Sequence, residues 1–193
     1  MYIKNTASFL IILLFTPFLL AGSQAEKQSD ELIERGKYIV FTHSCRDCHS
    51  PKIFTEKGPQ IDEERLLSGH PAEAELPPIP SGVTGRNQWG GLSSHDMTAW
   101  VGPWGVSFTR NLTPDLETGL GSWTEQMFIQ TIRTGKHMGV GRRLLPPMPS
   151  GSLSHLTDDD LKAIWAYLRT VKPVHNAVPD PIPAEIAFRQ TAQ

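Results

Sequence analysis

The chain has 193 residues and a formal net charge of −2, with 39% apolar and 20% charged residues. A mildly acidic chain is a poor match for a polyanion, which argues against nucleic acid as a partner. Sixteen glycines and sixteen prolines make it loop-rich without low complexity, and the length suits one domain.

The first 25 residues, MYIKNTASFLIILLFTPFLLAGSQA, have the anatomy of a secretory leader. Lys4 gives a basic start, Phe9 to Leu20 is an uncharged apolar run, and Ser23-Gln-Ala25 offers small residues to a signal peptidase. The run from Ala7 to Ala21 falls short of the ~20 residues that a membrane-crossing helix needs, and Pro17 interrupts it. A cysteine in place of Ser23 would be required for lipid anchoring. The expectation is a periplasmic or otherwise exported chain in which residues 26–193 form a single domain. Membrane contact would follow only if the leader stayed uncleaved.

SDELIERGKYIVFT, from Ser29 to Thr42, predicts the first helix, with Leu32, Gly36, Ile39 and Val40 on one face. Gly36 costs ~1 kcal/mol in mid-helix relative to alanine, a cost that close approach by another helix would justify. The helix delivers the chain to HSCRDCHS, which holds both cysteines, Cys45 and Cys48, followed directly by His49.

Three uses of that motif compete. A disulfide across two residues closes too short a loop to stabilise much, and a catalytic Cys-x-x-Cys belongs at a helix start beside a parallel sheet. Little strand pattern is visible here. Zinc wants four ligands, normally two matched pairs, and there is no second pair. Covalent haem uses both thiols as thioethers and takes the adjacent imidazole as an axial ligand. One haem c, with His49 on the iron, is the reading that meets every constraint.

Further along, IDEERLL predicts a minor helix. PAEAELPPIPSGVTGRNQWGGLSSH is a Pro/Gly/Ser-rich stretch that either covers the haem edge, forms a docking surface or is a tolerated surface loop. In FTRNLTPD, the polar groups of Thr109, Arg110 and Asn111 are candidates to bond the haem propionates, although the segment is also good turn chemistry. Trp100, Trp104 and Trp123 are candidates to pack on the ring and donate their N–H groups.

SWTEQMFIQTIRTG predicts a second helix, with Ser122 as N-cap, Glu125 closing a capping box, Phe128, Ile129 and Ile132 as its apolar stripe and Gly135 as its stop. From Gln126 to Leu156 the charges are Arg133, Lys136, Arg142 and Arg143, with no acid. This cluster either steers an acidic partner or balances the propionates.

A second axial ligand is sought among the methionines. Met127 reads as helix core, and Met97 has no special setting. Met148, in LLPPMPSG, is held by Pro146, Pro147 and Pro149 in a stiff non-helical strap. It is the preferred sixth ligand, with Met138, His137 and His155 as rivals. The last helix opens at TDDD, with Thr157 as cap and Asp160 closing the box. It repeats Leu161, Ile164, Trp165 and Leu168, and stops at Pro173.

ERGKYIV…CRDCH at one end and LTDDDLKAIWAYLRTVKPV at the other resemble the class I c-type cytochromes. The stretch WVGPWGVSFTRNLTPDLETGLGSWTEQMFIQTIRTGKHMG, with LLPPMP, is similar to monohaem cytochromes grouped with the cytochrome subunits of periplasmic dehydrogenases. The resemblance covers about Leu32 to Pro183. It implies an all-α fold in which the N- and C-terminal helices cross, Gly36 meeting Trp165 or Tyr167. It also implies Met148 as the axial thioether.

His49 and Met148 are 99 residues apart, more than a minimal domain of that class needs, so residues of about 54–108 read as an insertion. The expected job is single-electron transfer to and from redox partner proteins, a dehydrogenase or a terminal oxidase or reductase, without catalysis by the chain itself. The alternative is a haem enzyme or gas sensor whose sixth ligand is labile.

Overall fold

The computed structural model describes residues 16–82, 84 and 87–189. Of the leader expected over 1–25, residues 1–15 lie outside the described residues, and residues 16–25 run without a break into the first helix. Among the described residues no helix is long and apolar enough to cross a membrane.

In chain order, α1 (Thr16–Thr42) leads to the short α2 (Cys45–His49). The hairpin β1 (Lys52–Thr55) and β2 (Gly58–Ile61) follows, then a 3-10 turn at Glu63–Arg65. Strands β3 (Leu92–Ser93), β4 (Ala99–Gly102) and β5 (Gly105–Phe108) precede α3 (Glu125–Thr134). A 3-10 turn at His137–Gly139, α4 (Ser150–Leu153), α5 (Asp158–Leu168), β6 (Ile182–Pro183) and α6 (Ala184–Ala187) come after it.

The main core lies where α1 crosses α5. Ile39 and Val40 of α1 and Leu161, Ile164, Tyr167 and Leu168 of α5 are buried there, joined by Phe128, Ile129 and Ile132 of α3. Burying each aliphatic side chain of this set contributes about 1.5–3 kcal/mol. The fourth position on the buried face of α1 is Ile33, not Leu32, which remains 39% exposed.

Gly36 is buried against α5, where a Cβ would stand 1.9 Å from the carbonyl oxygen of Ala163 and 2.9 Å from Cβ of Tyr167. Of the two aromatics expected at this contact, Tyr167 makes it. Trp165 instead packs on Phe128, ring centroids 5.7 Å apart. Arg35 clasps Asp160 across the crossing at 2.9 and 3.0 Å. The Asp160 carboxylate is therefore turned toward α1, while Thr157 caps α5 by accepting from the Asp160 N–H at 3.1 Å.

The N-cap of α3 is Thr124, two residues beyond the expected Ser122. Its hydroxyl accepts from the Met127 N–H at 3.2 Å, and the Met127 sulfur receives the Thr124 N–H at 3.5 Å. The box is thus closed by a thioether where Glu125 was expected. Gly135, with φ of 62°, ends the helix as expected.

Two antiparallel sheets correct the all-α expectation. One is the β1–β2 hairpin. The other has strand order β3-β4-β5-β6. The segment AWVGPWGVSF folds back on itself: Gly102 pairs with Gly105 around a two-residue Pro103-Trp104 turn, and Trp100 pairs with Ser107. Pro103 has the fixed φ that suits the first central position of a turn, and Gly105, just past the turn, takes a φ of 98°. The sheet covers a second small core of Ala99, Val106, Phe108, Val178 and Ala187. Residues of the expected insertion therefore pair with the C-terminal tail through β6. The minor helix expected at IDEERLL is only the 3-10 turn at Glu63–Arg65.

Candidate haem site

Ser44 takes a left-handed backbone (φ 57°) after α1 and turns the chain into α2. This single helical turn carries Cys45, Cys48 and His49. Both thiols are free and half-buried, and burial pushes Cys45 up to about 11 and Cys48 in the same direction. A redox-active Cys-x-x-Cys needs a thiol pushed down, toward thiolate, so the setting opposes that use. Among the described residues no group of three or more His, Cys, Asp or Glu converges as a metal cluster would.

His49 is buried, and its Nδ1 lies 2.8 Å from the backbone carbonyl oxygen of Arg110. A carbonyl only accepts, so Nδ1 carries the proton and Nε2 keeps its lone pair. Burial holds the ring's pKa below the usual histidine range. A neutral imidazole oriented through Nδ1 is what metal ligation through Nε2 requires.

The segment Leu67–His70 ties the helical turn to the stretch from Thr109 to Leu112. On one side the Gly69 N–H donates to the His49 carbonyl at 2.7 Å, and the Leu67 N–H to the Ser50 hydroxyl at 2.9 Å. On the other, the His70 N–H donates to the Thr109 carbonyl at 2.9 Å and the Leu112 N–H to the Leu67 carbonyl at 2.8 Å. This segment was not among the residues expected at the site. Its only signal was Ser-Gly-His next to an apolar pair, which is weak.

Met148 is half-buried and packs on the main core, as do Cys45, Trp123 and Leu112. Its strap is anchored at two points on the N-terminal side of Met148. The Leu144 N–H donates to the carbonyl of Gly135 at 2.8 Å, and the Ser107 hydroxyl to that of Pro146 at 2.6 Å. The peptide between Pro146 and Pro147 is cis. Met138 and Met97 are each 38% exposed, and Met127 is engaged at the cap of α3. Of the histidine rivals, His155 is exposed. His137 is half-buried, its ring set edge-on to Trp123 at 5.2 Å.

The polar candidates separate. The Thr109 hydroxyl donates to the Thr98 carbonyl at 3.2 Å. Asn111 is saturated by protein groups: its amide donates to Thr118 Oγ1 and the Val174 carbonyl, and its oxygen accepts from the Thr113 N–H and hydroxyl. Both therefore brace the backbone, and neither offers a spare side-chain donor to a propionate. The Arg110 guanidinium donates to the carbonyls of Val178 and Pro179, with Asp180 4.0 Å away. The indole N–H groups of Trp100 and Trp104 bond the Met97 carbonyl and the Ser107 hydroxyl. That of Trp123 has no such partner among the described residues.

Within the basic cluster, Arg133 pairs with Asp158. Lys136, Arg142 and Arg143 stay exposed on one turn with Met138 and with Val140, which is 86% exposed. The donor set therefore fits a covalent haem: two protonated thiols one helical turn apart, a neutral imidazole fixed through Nδ1, and a thioether on a tethered strap beside the same apolar core.

Sequence comparison finds similarity to cytochrome c subunits of dehydrogenases. The chain is 28% identical over 162 residues to the cytochrome c subunit of a quinone alcohol dehydrogenase from Gluconobacter oxydans. It is 29% identical over 172 residues to the gluconate 2-dehydrogenase cytochrome c subunit of Pantoea cypripedii. Against the fructose dehydrogenase cytochrome subunit of Gluconobacter japonicus it is 28% identical over 169 residues. These alignments cover 82%, 88% and 82% of this chain but only 26%, 30% and 27% of the respective relatives. No protein-family model matches.

Proposed function

We propose that this chain is an exported c-type cytochrome that carries single electrons on one haem c. Cys45 and Cys48 attach the porphyrin, His49 binds the iron through Nε2, and Met148 supplies the sixth ligand. The observation that carries the reading is the 2.8 Å bond from His49 Nδ1 to the Arg110 carbonyl, which leaves the lone pair of the opposite nitrogen for a metal. The haem would supply a reversible one-electron couple. The protein holds its ligands rigidly, keeps water from the proximal side through the buried His49, and sets the potential.

The names of the relatives support a dehydrogenase as electron donor, with this chain as the electron-transfer component and not the catalytic one. A terminal oxidase or reductase is the corresponding acceptor. The exposed Lys136, Arg142 and Arg143 around Val140 suit an acidic partner surface, whose encounter would slow as salt rises. Haem staining after denaturation tests attachment, since only thioether-linked haem survives. Rapid stoichiometric carbon monoxide binding to the reduced protein at neutral pH would instead favour a haem enzyme or sensor with a labile sixth ligand.

A further inference from the structure

We propose that Gly69 is the positioning residue for the His49 imidazole and thereby sets how strongly that ring donates to iron. The inference rests on the reading of His49 as haem ligand. The carbonyl that orients the ring belongs to Arg110, 61 residues downstream, so nothing local fixes the distance between them. Gly69 bridges the gap. Its N–H holds the His49 carbonyl at 2.7 Å, and the side where a Cβ would project faces the Thr109 and Arg110 carbonyls. A Cβ at Gly69 would stand 2.5 Å from the Thr109 carbonyl oxygen, 2.6 Å from the Arg110 carbonyl carbon and 2.8 Å from its oxygen. One residue thus touches both ends of the ligand's hydrogen bond.

The surroundings leave the Arg110 carbonyl one way to yield. Gly69 has φ of 80° and Leu67, fully buried, has φ of 60°, so the segment holds a backbone that side chains disfavour. Asn176 pins it from behind, its amide donating to the Ser68 and His70 carbonyls at 2.7 and 2.8 Å. A side chain at position 69 meets backbone atoms, not the far end of a flexible chain. It must push the Arg110 carbonyl off the imidazole. A donor bond from the ring to a carbonyl raises ligand basicity and favours the ferric state. Weakening it therefore raises the reduction potential.

The test uses the matured full-length protein. Gly69→Ala should shift the potential upward in a redox titration, and the His49 Nδ1–H, followed by NMR of the reduced form, should exchange faster than in wild type. Gly58→Ala is the control. Gly58 has φ of 96° with nothing within 4 Å of an added Cβ, so it carries the backbone strain without the contact and should leave the potential unchanged. An unaltered potential in Gly69→Ala, or an equal shift in Gly58→Ala, overturns the inference. Should Gly69→Ala not mature, wild type decides: the Gly69 amide and the Nδ1–H should be protected together, and a fast Nδ1–H beside a slow amide overturns the inference. Haem staining of wild type comes first, because a negative stain removes the ligand reading itself.

Discussion

Gly36 and Ala163 meet backbone to backbone, so closely that a methyl group on the first would lie 1.9 Å from the carbonyl oxygen of the second. No side chain stands between the two principal helices at that point. The contact fixes how deeply Ile39, Val40, Leu161 and Leu168 interlock.

Gly36→Ala should therefore destabilise the fold even though alanine is the better helix former by ~1 kcal/mol. Forcing the backbones apart should cost about 1–3 kcal/mol net. A lowered urea midpoint with an unchanged slope is the expected result, and a stabilised protein would contradict the crossing.

Asn111→Ala separates bracing from haem contact. The side chain joins Thr113, Thr118 and Val174 from a buried position. Its loss leaves buried partners unmet and should cost about 2–4 kcal/mol. The potential should stay near that of wild type. A large change in potential with little loss of stability would return Asn111 to the propionates.

Met148→Ala should abolish the sulfur-to-iron charge-transfer band in the near infrared of the oxidised protein and lower the potential. Met138→Ala and Met97→Ala, at exposed positions, should keep the band. If the band survives in the first variant and vanishes in the second, the sixth ligand is Met138.

His70 gives a pH dependence. Its buried ring donates from Nδ1 to Thr98 Oγ1 at 2.8 Å, and Thr98 in turn donates to Asp96 at 2.7 Å. Burial depresses its pKa below the ordinary histidine value, with Asp96 and Glu73 opposing. Above that ordinary value, folded and unfolded chains are both neutral at His70. As the pH falls below 6.5 the unfolded chain takes up a proton that the folded one resists. Stability should then drop by up to ~1.4 kcal/mol per pH unit until the folded ring protonates. His70→Gln should make that limb shallower in denaturation midpoints measured between pH 7 and pH 5.

The helical frame was legible because it repeats. The α1 and α5 stripes, the Thr157 cap and the Gly135 stop are local signals read at fixed spacing, and Cys45, Cys48 and His49 are contiguous. What was not legible depends on pairing at long range. The β3–β6 sheet combines residues 92–108 with 182–183, and single strands of two to four residues carry no periodicity worth reading. Gly102-Pro103-Trp104-Gly105 forms the turn, but its strands are short and one is fully buried, so no alternation shows in the sequence. The Leu67–His70 tie works through backbone groups, which every residue type carries, and so leaves no side-chain signature. Thr109 and Asn111 show why side-chain type alone does not assign a role: a buried turn and a propionate ask for the same donors, and the bonds of these two go to protein groups.

The C-terminal tail reaches both segments that hold His49 in place. Asn176 accepts from the Ala72 N–H and grips Ser68 and His70, while the carbonyls of Val178 and Pro179 receive the Arg110 guanidinium. A miniaturised version trimmed at Pro173 would keep both crossing helices and the thiols of Cys45 and Cys48. It would nonetheless lose the buttress behind the His49 imidazole, so the shortest piece of this chain that keeps that ring held extends well past its last long helix.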